Sequence, residues 1–358
     1  MRCVLHVSLL VAPVDPTLRV RGVDPLSDVL RGLQLSGAIL FRARLRAPWC
    51  FAIPDAAEMV QVLLPGAARL VRFHVMVDGE CFVAVEGETV RLGSQDVIVL
   101  PRGDAHVMCS EPDLPAIPVL SVLPKLGRGK VPTLDCPGRG ACVTLLCGFL
   151  GCDEPIFDPL LTALPPVVVD RRDRGPSGPW LDAMLDYVLH ESDSDPLPGG
   201  YTMQTRLVEL MFLDVLRRHI AERPSDQRGW LAALRDPLIG RAVSELHADP
   251  TRAWTLAALA KRVGLSRSIL AQRFRRVAGT TPMKYLADWR LQLASSLLKA
   301  EELSIAAAAA RVGYQSEAAF NRAFKRRVGE PPAKWRQRQS RLMAKEAALT
   351  EVQNEPSQ

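Results

Sequence analysis

The sequence predicts an α+β protein: an N-terminal antiparallel β-barrel, a helical connector, and a C-terminal all-α domain of two helix-turn-helix units. Three observations lead there. The last third of the chain carries one helix-turn-helix pattern twice, first from Trp254 (WTLAALAKRVGLSRSILAQRFRRVAGTTPMKYL) and again from Ser304 (SIAAAAARVGYQSEAAFNRAFKRRVGEPPAKWR). Upstream, around residues 70–109, short β-branched runs (RLVRFHVMVDGE, CFVAVEGETVRL, DVIVLPRGDAHVMC) alternate with Asp-Gly, Glu-Gly and Arg-Gly breaks, the signature of antiparallel strands in a small barrel or sandwich. A length of 358 residues suits two domains, and no apolar run approaches the roughly 18 residues of a membrane span.

The repeat holds position by position. Ala260, Gly264, Ser266, Leu270, Phe274, Gly279 and Pro282 answer to Ala309, Gly313, Ser316, Phe320, Phe324, Gly329 and Pro332, the second turn being one residue longer. A small Ala lets two helices cross closely, and Gly permits the positive φ of the turn between them. Ser266 and Ser316 are placed to cap the second helix of each pair, and Pro282 and Pro332 suit the first position of the helix that follows. Leu256, Leu259, Val263, Leu270 and Phe274 fall on one helical stripe, the expected core of the first unit, with Ile269 also assigned to packing.

Charge is concentrated in the same segment. Residues 252–341 hold 19 Lys or Arg against 5 Asp or Glu, a net of +14, whereas the whole chain carries only +6. A basic excess confined to one double helix-turn-helix segment is the electrostatic footprint of duplex-DNA binding. In such motifs the second helix of each pair enters the major groove. In the first copy Arg267, Ser268, Ala271 and Gln272 are left facing outward as base readers; Gln suits adenine, and Arg suits guanine or a phosphate. In the second copy Glu317, Ala318, Asn321 and Arg322 hold the comparable face, with Arg322 the best guanine reader. Ser266, Arg275, Arg276, Ser316, Lys325 and Arg326 are expected at phosphates, setting register without reading sequence. The other reading of each residue is a solvated helix face.

Residues 283–299 contain Leu286, Trp289, Leu293, Ala294 and Leu297 at helical spacing without Pro or Gly, which predicts one continuous helix about 25 Å long between the two units. Two helix-turn-helix units joined by a helix of the form R-x-x-x-A-x-x-L-L (Arg290, Ala294, Leu297, Leu298) and closing on G-x-x-P resemble the AraC/XylS family of bacterial transcription regulators over roughly residues 231–339. Gln272 stands where many members carry Arg. The resemblance implies transcriptional control, usually activation through RNA polymerase, with an effector or dimerisation domain upstream.

That upstream part resembles an AraC-type cupin sensor domain. The carriers are Phe73-His74, Gly79, Leu92-Gly93, Asp96, and Pro101-x-Gly103-x-x-His106, together with the LLCGFLGCDEP and PLLTALPPVVV stretches. The His-x-His and Glu of metal-binding cupins are missing. A metal site needs three or four converging ligands, and only His74 and His106 lie in the strands, with Cys147 as a third from a neighbouring strand. The structural reading of the two histidines is therefore preferred, no cofactor or metal is expected, and His74 and His106 are candidates for lining a small-molecule effector pocket.

Of the eight cysteines, Cys136, Cys142, Cys147 and Cys152 cluster without a C-x-x-C pair, so reduced thiols in a cytoplasmic protein are expected rather than zinc or disulfides; neither a secretory signal nor a membrane span is read. The expected organisation is an extension at 1–23, a cupin-like domain at 24–170, a linker and helical connector at 171–230, the DNA-binding domain at 231–340 and a tail at 341–358. The connector is read as two amphipathic helices, one lined by Trp180, Leu181, Met184, Leu185, Val188 and Leu189, the other by Leu207, Leu210, Met211, Val215 and Leu216. The resemblance implies a homodimer through this region; packing within one chain is the other reading. The expected function is a sequence-specific transcription regulator, an activator rather than an enzyme, whose partners are double-stranded DNA, RNA polymerase and a small-molecule effector. The rival is a metal-dependent cupin enzyme carrying a DNA-binding domain. A DNA-repair methyltransferase of the Ada type would need a Pro-Cys-His-Arg context that the sequence lacks. An architectural DNA binder would not need the base-reading faces.

Overall fold

The computed structural model describes residues 24–353 apart from 33–34, 65–66, 125–130, 153–156, 172–177, 194–197, 223–228 and 300–302. The expected extension at 1–23 and, within the linker and connector expected at 171–230, residues 172–177, 194–197 and 223–228 lie outside the described residues.

The chain begins with α1 (Pro25–Gly32), β1 (Leu35–Arg46), β2 (Cys50–Ile53), α2 (Ala56–Leu63) and β3 (Arg69–Asp78). There follow β4 (Cys81–Val85), β5 (Glu88–Leu92), β6 (Val97–Leu100), β7 (His106–Cys109), β8 (Ile117–Pro118), β9 (Thr133–Cys136), β10 (Cys142–Cys152) and β11 (Val168–Asp170). Among the described residues these strands pair as two sheets, a six-stranded one in the order β11-β6-β3-β10-β1-β9 and a five-stranded one in the order β5-β4-β7-β2-β8. The sheets face each other across one apolar core, to which Phe41, Leu70, Met76 and Phe149 come from the larger and Phe51, Val83 and Met108 from the smaller. Pairing in two sheets does not by itself draw the closed ring of the expected barrel.

The outer face of the six-stranded sheet is covered too. Val71, Phe73 and Val75 of β3 point away from the inter-sheet core into a second cluster shared with α3 (Gly178–Asp193) and α4 (Gly200–Glu222). β3 is consequently buried along nearly its whole length. The predicted apolar stripe of the second connector helix needs correction. Val208, Met211, Phe212 and Val215 are buried on α4, whereas Leu210 is 55% exposed. The stripe turns on 208, 211, 212 and 215, and Leu210 lies two residues, about 200°, round the helix from Val208.

The C-terminal helices are α5 (Trp230–Arg235), α6 (Pro237–Ala248), α7 (Leu256–Val263), α8 (Arg267–Ala278), α9 (Pro282–Lys299), α10 (Ile305–Arg311), α11 (Glu317–Val328) and α12 (Pro332–Gln353). The two helix-turn-helix pairs are α7–α8 and α10–α11. Thr255, Ser266, Ser304 and Ser316 cap α7, α8, α10 and α11, each side-chain oxygen accepting a backbone N–H three residues on. Such a cap contributes about 1 kcal/mol. Gly313, at φ 87°, shows why the turn needs glycine: a Cβ there would meet the Thr251 carbonyl oxygen at 2.7 Å. α9 serves both halves, giving Tyr285, Leu286 and Trp289 to one core and Leu291, Ala294 and Leu298 to the other. α12 continues as helix through the boundary expected at residue 341.

Candidate nucleic-acid interface

The core of the first unit fixes how α8 is presented. Leu259, Val263, Leu270 and Phe274 are essentially buried, which turns Arg267, Ser268, Gln272, Arg275 and Arg276 to the exposed side, with Ala271 half-buried at its flank. Ile269 departs from its assignment to packing: it is 51% exposed. It follows Ser268 on the outer side of the helix, about 100° round from Leu270, beyond the edge of the buried stripe. In the second unit Phe320 and Phe324 are fully buried, their rings 5.5 Å apart and Phe324 edge-on to Trp335. Glu317, Ala318, Arg322, Lys325 and Arg326 are exposed, and Asn321 is half-buried. Ser266 and Ser316 are exposed as well as capping.

Several cations of this region are held within the fold, and others are not. Arg262, Arg273, Arg327 and Arg338 are held by Glu245, Asp236, Asp288 and Glu330. Arg290 donates from Nε and Nη2 to the carbonyls of Pro250 and Arg252, tying α9 to the loop before α7. Arg267, Arg275, Arg276, Arg322, Lys325 and Arg326 form no ion pair among the described residues. Paired arginines thus brace the fold, and six cations without an ion pair among the described residues stand on the exposed faces of α8 and α11, the two helices that correspond in the repeat. An array of this kind attracts a polyanion.

Inside the β domain, His74 of β3 and His106 of β7 come from opposite sheets and meet with their Nε2 atoms 3.0 Å apart. The loop before β7 sets this up. Gly103, at φ 72°, packs so tightly that a Cβ would lie 2.3 Å from that of Ala56. The next residue, Asp104, presents its carbonyl to His106 Nδ1 at 3.0 Å. A carbonyl only accepts, so Nδ1 carries the proton. In neutral His106 the Nε2 is then an acceptor, and His74 Nε2 must donate to it. That leaves His74 Nδ1 a buried lone pair without a partner. Burial pushes the His74 pKa well below the ordinary value, reinforced by His106 and Arg72, and burial likewise lowers His106 to about 4.

Cys147 pairs with His74 in the β3–β10 register, and burial raises its thiol pKa strongly. Among the described residues no group of three His, Cys, Asp or Glu side chains converges as a metal site. The described cysteines are free thiols; Cys50 and Cys109, not the 136–152 cluster, are the two that face each other across paired strands, with Cys109 pushed up to about 11 mainly by burial. One interior residue was missed by sequence reasoning. Arg72, two positions before His74, is fully buried and donates from Nη1 to the Asp104 carbonyl at 3.3 Å. Its signal was an arginine in the midst of an apolar strand.

A β domain joined to a double helix-turn-helix domain with two cationic helix faces defines a class, the two-domain DNA-binding transcription regulators. Residues 24–221 match the family described as Cupin, and residues 259–338 the one described as Helix-turn-helix domain. The chain is 31% identical over 316 residues to a Streptomyces lividans protein described as an AraC-like transcription regulator, covering 88% of this chain and 98% of that one. It is 31% identical over 322 residues to a counterpart from Streptomyces antibioticus, at the same coverage. It is also 28% identical over 321 residues to the HTH-type transcriptional regulator AlkR of Acinetobacter baylyi, covering 88% and 99%. The chain belongs to the AraC-like transcription regulators, with an N-terminal cupin domain. Among the described residues no helix is long and apolar enough to cross a membrane.

Proposed function

We propose that this regulator reads two adjacent major-groove segments of one DNA site, α8 entering the first and α11 the second. The observation that carries this reading is that Arg267, Arg275, Arg276, Arg322, Lys325 and Arg326 stand exposed on the corresponding faces of α8 and α11 without an ion pair among the described residues. Arg267, Ser268, Ala271 and Gln272 read bases in one segment, and Glu317, Ala318, Asn321 and Arg322 read them in the other. Ser266, Arg275, Arg276, Ser316, Lys325 and Arg326 hold phosphates and set register. The working division is a β domain at 24–170, a connector at 171–230 and the DNA-binding domain at 231–340. We read the two facing sheets as a flattened cupin barrel that takes a small-molecule effector near His74 and His106. The protein is read as a cytoplasmic activator that contacts RNA polymerase and has no enzymatic step. Met203, Leu207 and Leu210 recur along α4, and the exposure of Met203 and Leu210 (49% and 55%) supports a homodimer through this helix.

A random-library DNA selection with the full-length protein at near-physiological salt tests the central claim. A motif of two half-sites about one helical turn apart is expected. Enrichment without a motif would remove the base-reading assignment and leave nonspecific phosphate binding.

A further inference from the structure

Arg72 lies inside the core between the two sheets at 0% exposure. Burying a guanidinium without a counter-charge is costly, and buried charges are nearly always paired. Arg72 joins no ion pair among the described residues. Nη1 donates to the Asp104 carbonyl at 3.3 Å, and Nη2 lies 3.3 Å from the sulfur of Met59, a weak acceptor. Nε has no partner at all. The Phe149 ring, 5.7 Å from Cζ, supplies a further attraction. Burial lowers the Arg72 pKa to about 10, although Asp55, Asp104 and Glu58 act on it from beyond ion-pair distance.

The edge of the guanidinium left without a proper acceptor is the Nε–Nη2 edge, and this chain shows what that edge takes elsewhere. Arg44 places Nε and Nη2 on the carboxylate of Asp135, Arg262 does so on Glu245, and Arg273 on Asp236. At Arg72 a thioether sulfur stands where one carboxylate oxygen would lie, and no acceptor meets Nε. Met59 is unbranched and has three rotatable bonds, so its sulfur can leave Nη2 without displacing α2. Met76, Met108 and Phe149 give the remainder of this interior an apolar, deformable character.

We propose that the β domain binds a small monocarboxylate, its two oxygens seated on the Nε–Nη2 edge of Arg72 in place of the Met59 sulfur and its apolar body among the methionine and phenylalanine side chains. The carboxylate supplies the counter-charge that Arg72 lacks. Binding itself stands on Arg72; its consequence for DNA rests on the effector reading of this domain given above.

The test is calorimetric titration of the full-length protein with acetate, butyrate, octanoate and benzoate, set against octan-1-ol and inorganic phosphate. At least one carboxylate is expected to bind saturably and more tightly than the alcohol and phosphate, by about tenfold or more. Arg72→Met should abolish that preference while leaving the melting temperature unchanged or higher, since an apolar chain replaces an uncompensated charge. Arg72→Lys, which keeps the charge but loses the fork, should bind more weakly than the native protein, and it carries the test if the Met variant fails to fold. No saturable carboxylate binding at millimolar concentration, equal binding of alcohol or phosphate, or affinities indifferent to both variants would overturn the proposal. Operator affinity with and without the bound carboxylate separates the two readings. Arg72-dependent binding that leaves operator affinity unchanged keeps the proposal and removes the effector role; operator affinity that responds only to compounds indifferent to Arg72 does the reverse.

Discussion

Asp28 and His247 stand 219 positions apart in the chain and meet at 3.1 Å, Oδ2 to Nδ1. The contact ends a buried relay. Trp230 donates from Nε1 to the Tyr285 hydroxyl at 2.9 Å, Tyr285 donates to His247 Nε2 at 2.7 Å, and His247 donates from Nδ1 to Asp28. The imidazole also stacks on Trp289 with ring centres 4.3 Å apart. Through this relay α1, the first helix of the β domain, is fastened to α6 and α9 of the DNA-binding half.

Asp28→Ala should therefore strip the partner from a buried His247 N–H and cost about 1–3 kcal/mol of stability. Urea denaturation reads the loss, and hydrogen exchange should locate it in α1, α6 and α9. Unchanged stability with unchanged protection of α6 would show that the relay holds nothing.

Arg322→Ala is expected to cost about 1–3 kcal/mol of operator affinity and to relax one position of the site. Lys325→Ala should weaken all sequences alike and shallow the salt slope by about one unit. Selections and salt titrations with each variant check the two roles; an unaltered motif for Arg322→Ala, or a loss confined to one sequence for Lys325→Ala, would reverse the assignment.

Neighbouring residues on α8 should differ sharply in their effect on folding. Leu270 is fully buried, and Leu270→Ala is expected to cost about 2–5 kcal/mol. Ile269 is half exposed, and Ile269→Ala should stay within about 0.5 kcal/mol of the parent. Paired thermal melts decide it, and a large loss at Ile269 would mean that its side chain packs after all.

The histidine pair makes stability depend on pH in a defined direction. His106 titrates near 4 in the folded chain against 6.5 when unperturbed, and burial shifts His74 the same way. Between those values the unfolded chain binds protons that the folded one refuses. Their contribution is complete above pH 6.5 and falls as pH drops towards 4, by up to about 1.4 kcal/mol per pH unit for each histidine. Unfolding free energies measured across this range should be flatter in His74→Gln/His106→Gln than in the parent, and equally steep profiles would disprove the assignment.

The DNA-binding half was legible because its determinants are local. Caps, turn glycines and apolar spacings lie within a few residues of what they organise, and they recur in Ser266 and Ser316 or Phe274 and Phe324. Ile269 was misread because two adjacent apolar residues point about 100° apart, and only the edge of the core decides which is covered. His74 and His106 stood out as candidates, but their meeting depends on how two sheets face each other, which no local pattern records. Arg72 escaped notice for a related reason. Alternation marks an inward residue only when the other face of the strand is wet, and α4 covers the other face of the sheet that holds β3, so both sets of side chains in the middle of β3 are apolar apart from Arg72 and His74.

The double duty of α9 constrains how such a protein can change over time. Tyr285, Leu286 and Trp289 are committed to one core and Leu291, Ala294 and Leu298 to the other, with no spare turn between them. One inserted or deleted residue would swivel the second unit by about 100° and break the apolar contacts on which it sits. The separation and phase of the two cationic helices are thus inherited as a fixed measure, and divergence is channelled into the identity of the side chains they display.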